Sequence, residues 1–341
     1  MATSAFSDDR AGDAGRLPRR VGADLCGIGD LRDAEIAGIL GRALAVADLP
    51  HLPEVLCGRQ ILAAFAEPST RTRMSFQAAA RRLGATVLTF DGGAATSASK
   101  GESPLDALRN LDAMGFDAIV VRDRREQWAS HLTQLLSARV INAGDGISEH
   151  PTQALLDAAT ILEARGRRAS AGTEALAGVR IAICGDILHS RVAGSGLRLL
   201  PRLGASVVVA GPPGLVDPQR LPDAVDFAES LDAALVGADV VMMLRIQRER
   251  LSVALELPDD ASYHARWGLT QRRLETAADD AIVLHPGPMN RGVEISDAVA
   301  DGPRSRILRQ ARLGVAVRMA VLARACGRLH QLPTPHAHTG L

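Results

Sequence analysis

Three short stretches of the chain carry residue types that could hold and polarise small anions. The first is EPSTRTRMSF (67–76), between an apolar run that reads as a strand and an amphipathic run that reads as a helix. The first N–H groups of a helix have no partner within it, and the helix dipole adds positive potential there. Ser69 or Thr70 is placed to cap that helix. The open N–H groups, the hydroxyls of Ser69 and Thr72 and the guanidinium of Arg71 together make an anion pocket. An ordinary cap with solvated arginines is the plain alternative. Two arginines in a first turn oppose the dipole, however, and an anionic ligand resolves that conflict.

The second stretch is HPTQ (150–153), again after an apolar run, ARVINAG, and opening a helix. A lone histidine is more often a cap or a core residue than a catalyst. His150 and Gln153 lie one helical turn apart on one face, so both can reach one small polar ligand. Arg122, which ends DAIVVR, adds a cation at another strand end. The third stretch is SASKGES (97–103), holding Lys100, the only lysine among 39 basic residues. Codon bias toward arginine explains the composition. Chance survival of one lysine codon and a need for an ammonium at that place both explain the exception.

Several other chemistries are excluded. Lys100 is followed by Gly101 and lacks the glycine pattern of a P-loop. Gly144 and Gly146 are followed by Glu149, and Gly194 and Gly196 by Leu199, so neither pair completes a dinucleotide-binding GxGxxG. The four cysteines, Cys26, Cys57, Cys184 and Cys326, form no ligand spacing. No metal or cofactor is therefore expected, and reduced thiols in the cytoplasm are. The 39 basic residues are balanced by 39 acidic ones and aromatics are 3%, which gives no footprint for nucleic acid. No apolar run approaches the roughly 20 residues of a membrane span.

The elements that must position these residues alternate along the chain. Strands are expected at 59–66, 85–90, 117–122 and 138–144, with helices at about 70–83, after Pro104 and over 151–166. After an Arg/Ala/Gly-rich stretch at 165–178 the pattern restarts, with strands at 179–186, 205–211, 238–245 and 281–287. A last helix over about 305–326 packs back on the first half. This is an α/β pattern of two doubly wound parallel-sheet domains of similar size, with the C-terminal helix returning to the first domain. Ligands in such folds sit at the carboxyl ends of strands, where the three stretches lie.

STRTR after a strand, the arginine of DAIVVR and NAGDG…HPTQALLD together resemble the carbamoyl-phosphate half of the carbamoyltransferase family. Lys100 in SASKGES matches that family's flexible loop. GDILHSRV, LRIQRERL and LHPGPMNRGVEI resemble its aspartate carbamoyltransferase branch, and the match runs in unbroken order from about residue 24 to 326. The resemblance implies transfer of the carbamoyl group of carbamoyl phosphate to the amine of L-aspartate through a tetrahedral intermediate, without metal or cofactor. The products are N-carbamoyl-L-aspartate and phosphate, and the step commits carbon to pyrimidine synthesis. Two anionic substrates and a developing oxyanion call for dense positive charge and hydrogen-bond donors, as these motifs supply.

Residue by residue, the resemblance gives Ser69, Thr70, Arg71 and Thr72 the phosphate. It gives Thr72, Arg122 and His150 the carbamoyl oxygen, and Gln153, Pro286 and Gly287 the carbamoyl amino group. Arg191, Arg245 and Gln247, with Gly287 and Pro288, take aspartate. Ser97 and Lys100 reach from a neighbouring subunit to phosphate and aspartate, which implies a homotrimer with shared sites. Assembly with regulatory chains or a dihydroorotase stays open. The domains are then 21–163 with 305–328 for carbamoyl phosphate and 164–304 for aspartate, with a disordered extension at 1–20 and a flexible tail at 329–341. Gly194 and Gly196 stand where the family often has Arg and Asn. Two rivals remain: ornithine carbamoyltransferase, which typically has HCLP for HPGP, and a non-catalytic assembly homologue.

Overall fold

The computed structural model describes residues 18–92, 102–250 and 258–335. The first sheet has strands β1 (Gln60–Phe65), β2 (Thr86–Phe90), β3 (Ala118–Asp123) and β4 (Arg139–Asp145), all parallel, in the order β2-β1-β3-β4. The second has β5 (Arg180–Cys184), β6 (Ser206–Ala210), β7 (Val225–Phe227), β8 (Val240–Met243) and β9 (Ile282–Leu284), parallel in the order β7-β6-β5-β8-β9. The central strands read as continuous apolar runs because helices cover both faces. β1, for example, is QILAAF with every residue after the first buried. Both sheets are doubly wound, as expected.

In the first half the helices are α1 (Asp33–Val46), α2 (Thr70–Arg82), α3 (Pro104–Asp112), α4 (Trp128–Thr133) and α5 (Pro151–Ala164). The second half carries α6 (Arg191–Leu199), α7 (Leu231–Leu235), α8 (Asp260–Trp267), α9 (Gln271–Leu274) and α10 (Asp297–Ala300). The last helix, α11 (Ile307–Ala325), returns to pack on α1, α2 and α5. Every residue from Ala316 to Ala325 is buried, and Ala316, Val317, Met319, Ala320, Val321, Leu322 and Ala323 are all at most 1% accessible.

One strand departs from the expected pattern. β7 was not among the expected strands: it is three residues long and only Val225 of it is buried, so it leaves no apolar run. Of the segment 1–20, residues 1–17 lie outside the described residues; within the described part, Arg19 donates to the carbonyls of Leu136 and Ala138 and pairs with Asp24. Of the tail 329–341, residues 336–341 lie outside the described residues; before them, Leu329–Gln331 form a 3-10 turn and Leu332 is buried. No helix among the described residues is long and apolar enough to cross a membrane.

Candidate active site

The order of each sheet reverses beside a central strand, at β1/β3 in the first and β5/β8 in the second, and such switch points form crevices at the carboxyl ends. The two crevices face one another across a single cleft of about 720 Å³. Its walls include Ser69, Thr70, Arg71, Thr72, Arg122, His150 and Gln153 from the first half. Arg191, Arg245, Gln247, Pro286, Gly287 and Pro288 come from the second. Ser97 and Lys100 lie outside the described residues.

The phosphate-gripping turn departs from expectation in one detail. Ser69 occupies the N-cap position of α2, but its side chain makes no cap bond. The first-turn N–H groups are thus left for a ligand in the cleft, which strengthens the anion reading. Arg71 is held below its ordinary value, chiefly by burial and then by the charge of Arg245.

Arg122 leaves β3 and donates from Nη1 to the Ala143 carbonyl at 3.1 Å and from Nη2 to Glu67 Oε1 at 3.0 Å. Burial, followed by the neighbouring Arg191, brings it down to about 10, so it is still a cation at neutral pH. Gly144 has φ +118°, and a Cβ there would lie 2.8 Å from Arg122 Nη1 and 3.0 Å from Arg191 Nη1. A glycine is needed for both guanidiniums to pass. His150 opens α5; its backbone N–H donates to Ser195 Oγ at 2.9 Å, and its Nε2 stands 3.5 Å from Thr72 Oγ1. Burial first, then Arg318, Arg122 and Arg191, hold His150 well below the usual imidazole range. It is therefore neutral at pH 7 and suited to polarise a carbonyl.

On the far wall, Arg191 is the first residue of α6, behind a Ser190 side chain that caps the helix through the Ala193 N–H. Arg245 Nη2 donates to Gln247 Oε1 at 3.1 Å, and the fully buried Asp186 accepts from the Gln247 backbone N–H at 3.0 Å. At the end of β9, His285 Nδ1 accepts from the Gly287 N–H and Nε2 donates to the buried Glu294. Accepting on Nδ1 fixes the tautomer with its proton on Nε2 and sets the turn through Pro286 and Gly287.

Sequence reasoning missed several groups here. Arg250 and Arg318 also line the cleft, which thus has six arginines and one carboxylate, Glu67. Burial alone would raise Glu67, but the hydrogen bond from Arg191 and the charges of Arg122, Arg191 and Arg250 outweigh it and hold the carboxyl below its usual range. A signal for Glu67 existed, since a carboxylate directly precedes an arginine-rich turn. Arg318 had none, because it arrives from α11, far along the chain.

A family model described as the aspartate/ornithine carbamoyltransferase carbamoyl-P binding domain matches residues 23–163, and its Asp/Orn binding domain counterpart matches 177–325. The chain belongs to the aspartate/ornithine carbamoyltransferase family. It is 48% identical to the aspartate carbamoyltransferase catalytic subunit of Sorangium cellulosum over 302 residues, which is 87% of this chain and 91% of that one. It is 50% identical to the catalytic subunit of the same name from Xylella fastidiosa over 276 residues, 80% of this chain and 83% of that one. Among solved structures, aspartate transcarbamoylase from Trypanosoma cruzi in complex with carbamoyl aspartate and phosphate superposes with a TM-score of 0.75 at 29% identity, covering 91% of this chain and 98% of that one. Ornithine carbamoyltransferase from Thermus thermophilus does so with 0.76 at 26%, covering 91% and 99%. The fold thus belongs to both carbamoyltransferase branches, while the curated relatives at 48–50% identity carry the aspartate name.

Proposed function

We propose that this protein transfers the carbamoyl group of carbamoyl phosphate to L-aspartate, giving N-carbamoyl-L-aspartate and phosphate. The observation that carries this reading is the pairing of two anion-holding switch points across one cleft of six arginines and one carboxylate. Phosphate sits at the α2 N-terminus on Ser69, Thr70, Arg71 and Thr72. Thr72, Arg122 and His150 point donors at the carbamoyl oxygen, which becomes an oxyanion as the aspartate amine attacks. Gln153 and the turn at Pro286 and Gly287 take the carbamoyl amino group. Arg191 and Arg245 with Gln247, beside Gly287 and Pro288, take the two carboxylates by the bidentate pairing that guanidinium favours. Holding both substrates in one cleft turns a bimolecular attack into a local one.

Lys100, with Ser97, acts in this scheme from a neighbouring subunit, and the working unit is a homotrimer in the cytoplasm. Light scattering tests the assembly: a mass three times the 35.9 kDa chain is expected, and a monomer active at high dilution would sink the shared site.

The reaction is tested by assaying ureido product from carbamoyl phosphate with L-aspartate and L-ornithine in parallel. Product with aspartate alone supports the reading. Product with ornithine alone would reassign the far wall, and no product from a folded assembly would favour a non-catalytic homologue.

A further inference from the structure

Asp157 lies one turn beyond Gln153 on α5 and is 1% exposed. Its Oδ1 accepts from Gln153 Nε2 at 2.9 Å and from Gln310 Nε2 at 2.8 Å. Its Oδ2 has no hydrogen-bond partner among the described residues. The orientation of this group can be read from a donor that cannot be anything else. The backbone N–H of His285 donates to Gln310 Oε1 at 2.9 Å, so the Gln310 amide presents its nitrogen to Asp157. Oδ1 must then be an acceptor, and a proton on this buried carboxyl belongs on Oδ2. The Gln153 amide meets the same Oδ1 and must also present its nitrogen. Its Oε1 is left over, and Gln153 lines the cleft.

A free glutamine amide offers either a donor or an acceptor after a half-turn, so it discriminates little. Fixed at its nitrogen, it offers only an acceptor. We propose that Asp157 is a positioning residue that sets substrate specificity: it locks Gln153 with its carbonyl oxygen toward the cleft, so that the first substrate must present an N–H there. The site thereby selects a carbamoyl phosphate over an acyl phosphate of the same size. The same Oδ1, through Gln310, also holds the backbone just before Pro286 and Gly287. One buried oxygen thus orients both grips on one amino group, from the first-domain helix α5 and from the end of β9. The inference rests on the carbamoyl-phosphate reading of the site.

Acetyl phosphate, with a methyl group in place of the amino group, is the probe. Dissociation constants for carbamoyl phosphate and acetyl phosphate are measured by calorimetry on the full chain, wild type, D157L and D157N. D157L removes the acceptor at similar bulk, and the ratio of the two constants is expected to shrink about tenfold, the worth of one well-placed hydrogen bond, with acetyl phosphate affinity changed far less. D157N keeps an acceptor oxygen for both glutamines and is expected to keep the wild-type ratio. If D157L does not fold, the smaller D157V is read the same way. A purely structural role would weaken both ligands together, so an unchanged ratio in D157L overturns the proposal, as does loss of the ratio in D157N. Wild type that makes N-carbamoyl-L-aspartate while D157L keeps the ratio overturns the role of Asp157 alone. Wild type with no preference between the two phosphates overturns the carbamoyl reading with it.

Discussion

Arg191, the first residue of α6 in the second domain, donates from Nη2 to Glu67 Oε1, which lies just after β1 in the first. Arg122 shares that same oxygen at 3.0 Å, and Arg250 approaches it at 3.7 Å. Glu67 is thus a fixed counter-charge that keeps three guanidiniums together while Arg191 Nη1 has no hydrogen-bond partner among the described residues. Three cations without that carboxylate repel one another. Glu67→Gln keeps the shape and removes the charge, so both domains should lose their common tether. Steady-state kinetics should show kcat/KM for aspartate down on the order of 10- to 100-fold, the cost of about one charged hydrogen bond. The dissociation constant of carbamoyl phosphate should move much less. Equal losses for both substrates would show that Glu67 supports the whole cleft rather than holding Arg191 for aspartate.

Gly194 and Gly196, where the family often has larger residues, should respond in opposite directions. A Cβ on Gly194 would lie 2.1 Å from the Ser148 carbonyl oxygen, so α6 approaches the turn before His150 too closely for any side chain. Next to it, Ser195 Oγ accepts from the His150 N–H and donates to Glu149 Oε2. Gly194→Ala should therefore cost about 1–3 kcal/mol and lower turnover, since α6 carries Arg191. A Cβ on Gly196 meets nothing closer than 4.0 Å. Gly196→Ala should gain roughly 0.5–1 kcal/mol from helix propensity. Thermal melts of the two variants decide it, and a loss in both would mean α6 tolerates no change of packing.

Much of this was legible because its signals are local. Hydrophobic runs bounded by glycine marked eight of the nine strands, and the polar residues that follow them marked both switch points. Glu149 and Ser195 were not legible, because their bond joins residues 46 apart across two domains. Asp157 stood at a readable spacing, one turn from Gln153, but its partner Gln310 is 153 residues away. Local pattern announces which side chains face a cleft; which of them orient the others depends on contacts that only the packed chain makes.

Lys100→Arg tests the reading of the lone lysine. A compact ammonium on a flexible stem can turn to several oxygens, whereas a planar fork fixes its donors in one plane. Charge is conserved, so a merely electrostatic role predicts little change. If the ammonium contacts both substrates, as proposed, kcat should fall roughly a hundredfold at unchanged melting temperature. Near-normal turnover would return Lys100 to chance survival of a codon.

Two buried groups should shape stability with pH in opposite senses. His150 is held below 6.5 in the fold, so the unfolded chain takes up its proton first. Its contribution is present above about pH 6.5 and is lost as pH falls below that value. Asp157 is the reverse: burial pushes its carboxyl up to about 7, against the opposing pull of Gln310, Gln153 and Arg318. The unfolded chain then gives up that proton near the ordinary carboxylate value of about 4, and the fold's advantage is lost as pH rises from there through about 7. D157N cannot ionise, so its stability relative to wild type should climb between pH 4 and 7, by on the order of 1–4 kcal/mol in all. Denaturant melts of wild type and D157N at several pH values read this directly. Parallel curves would mean that Asp157 ionises as easily in the fold as outside it, and that Arg318, not burial, governs its charge.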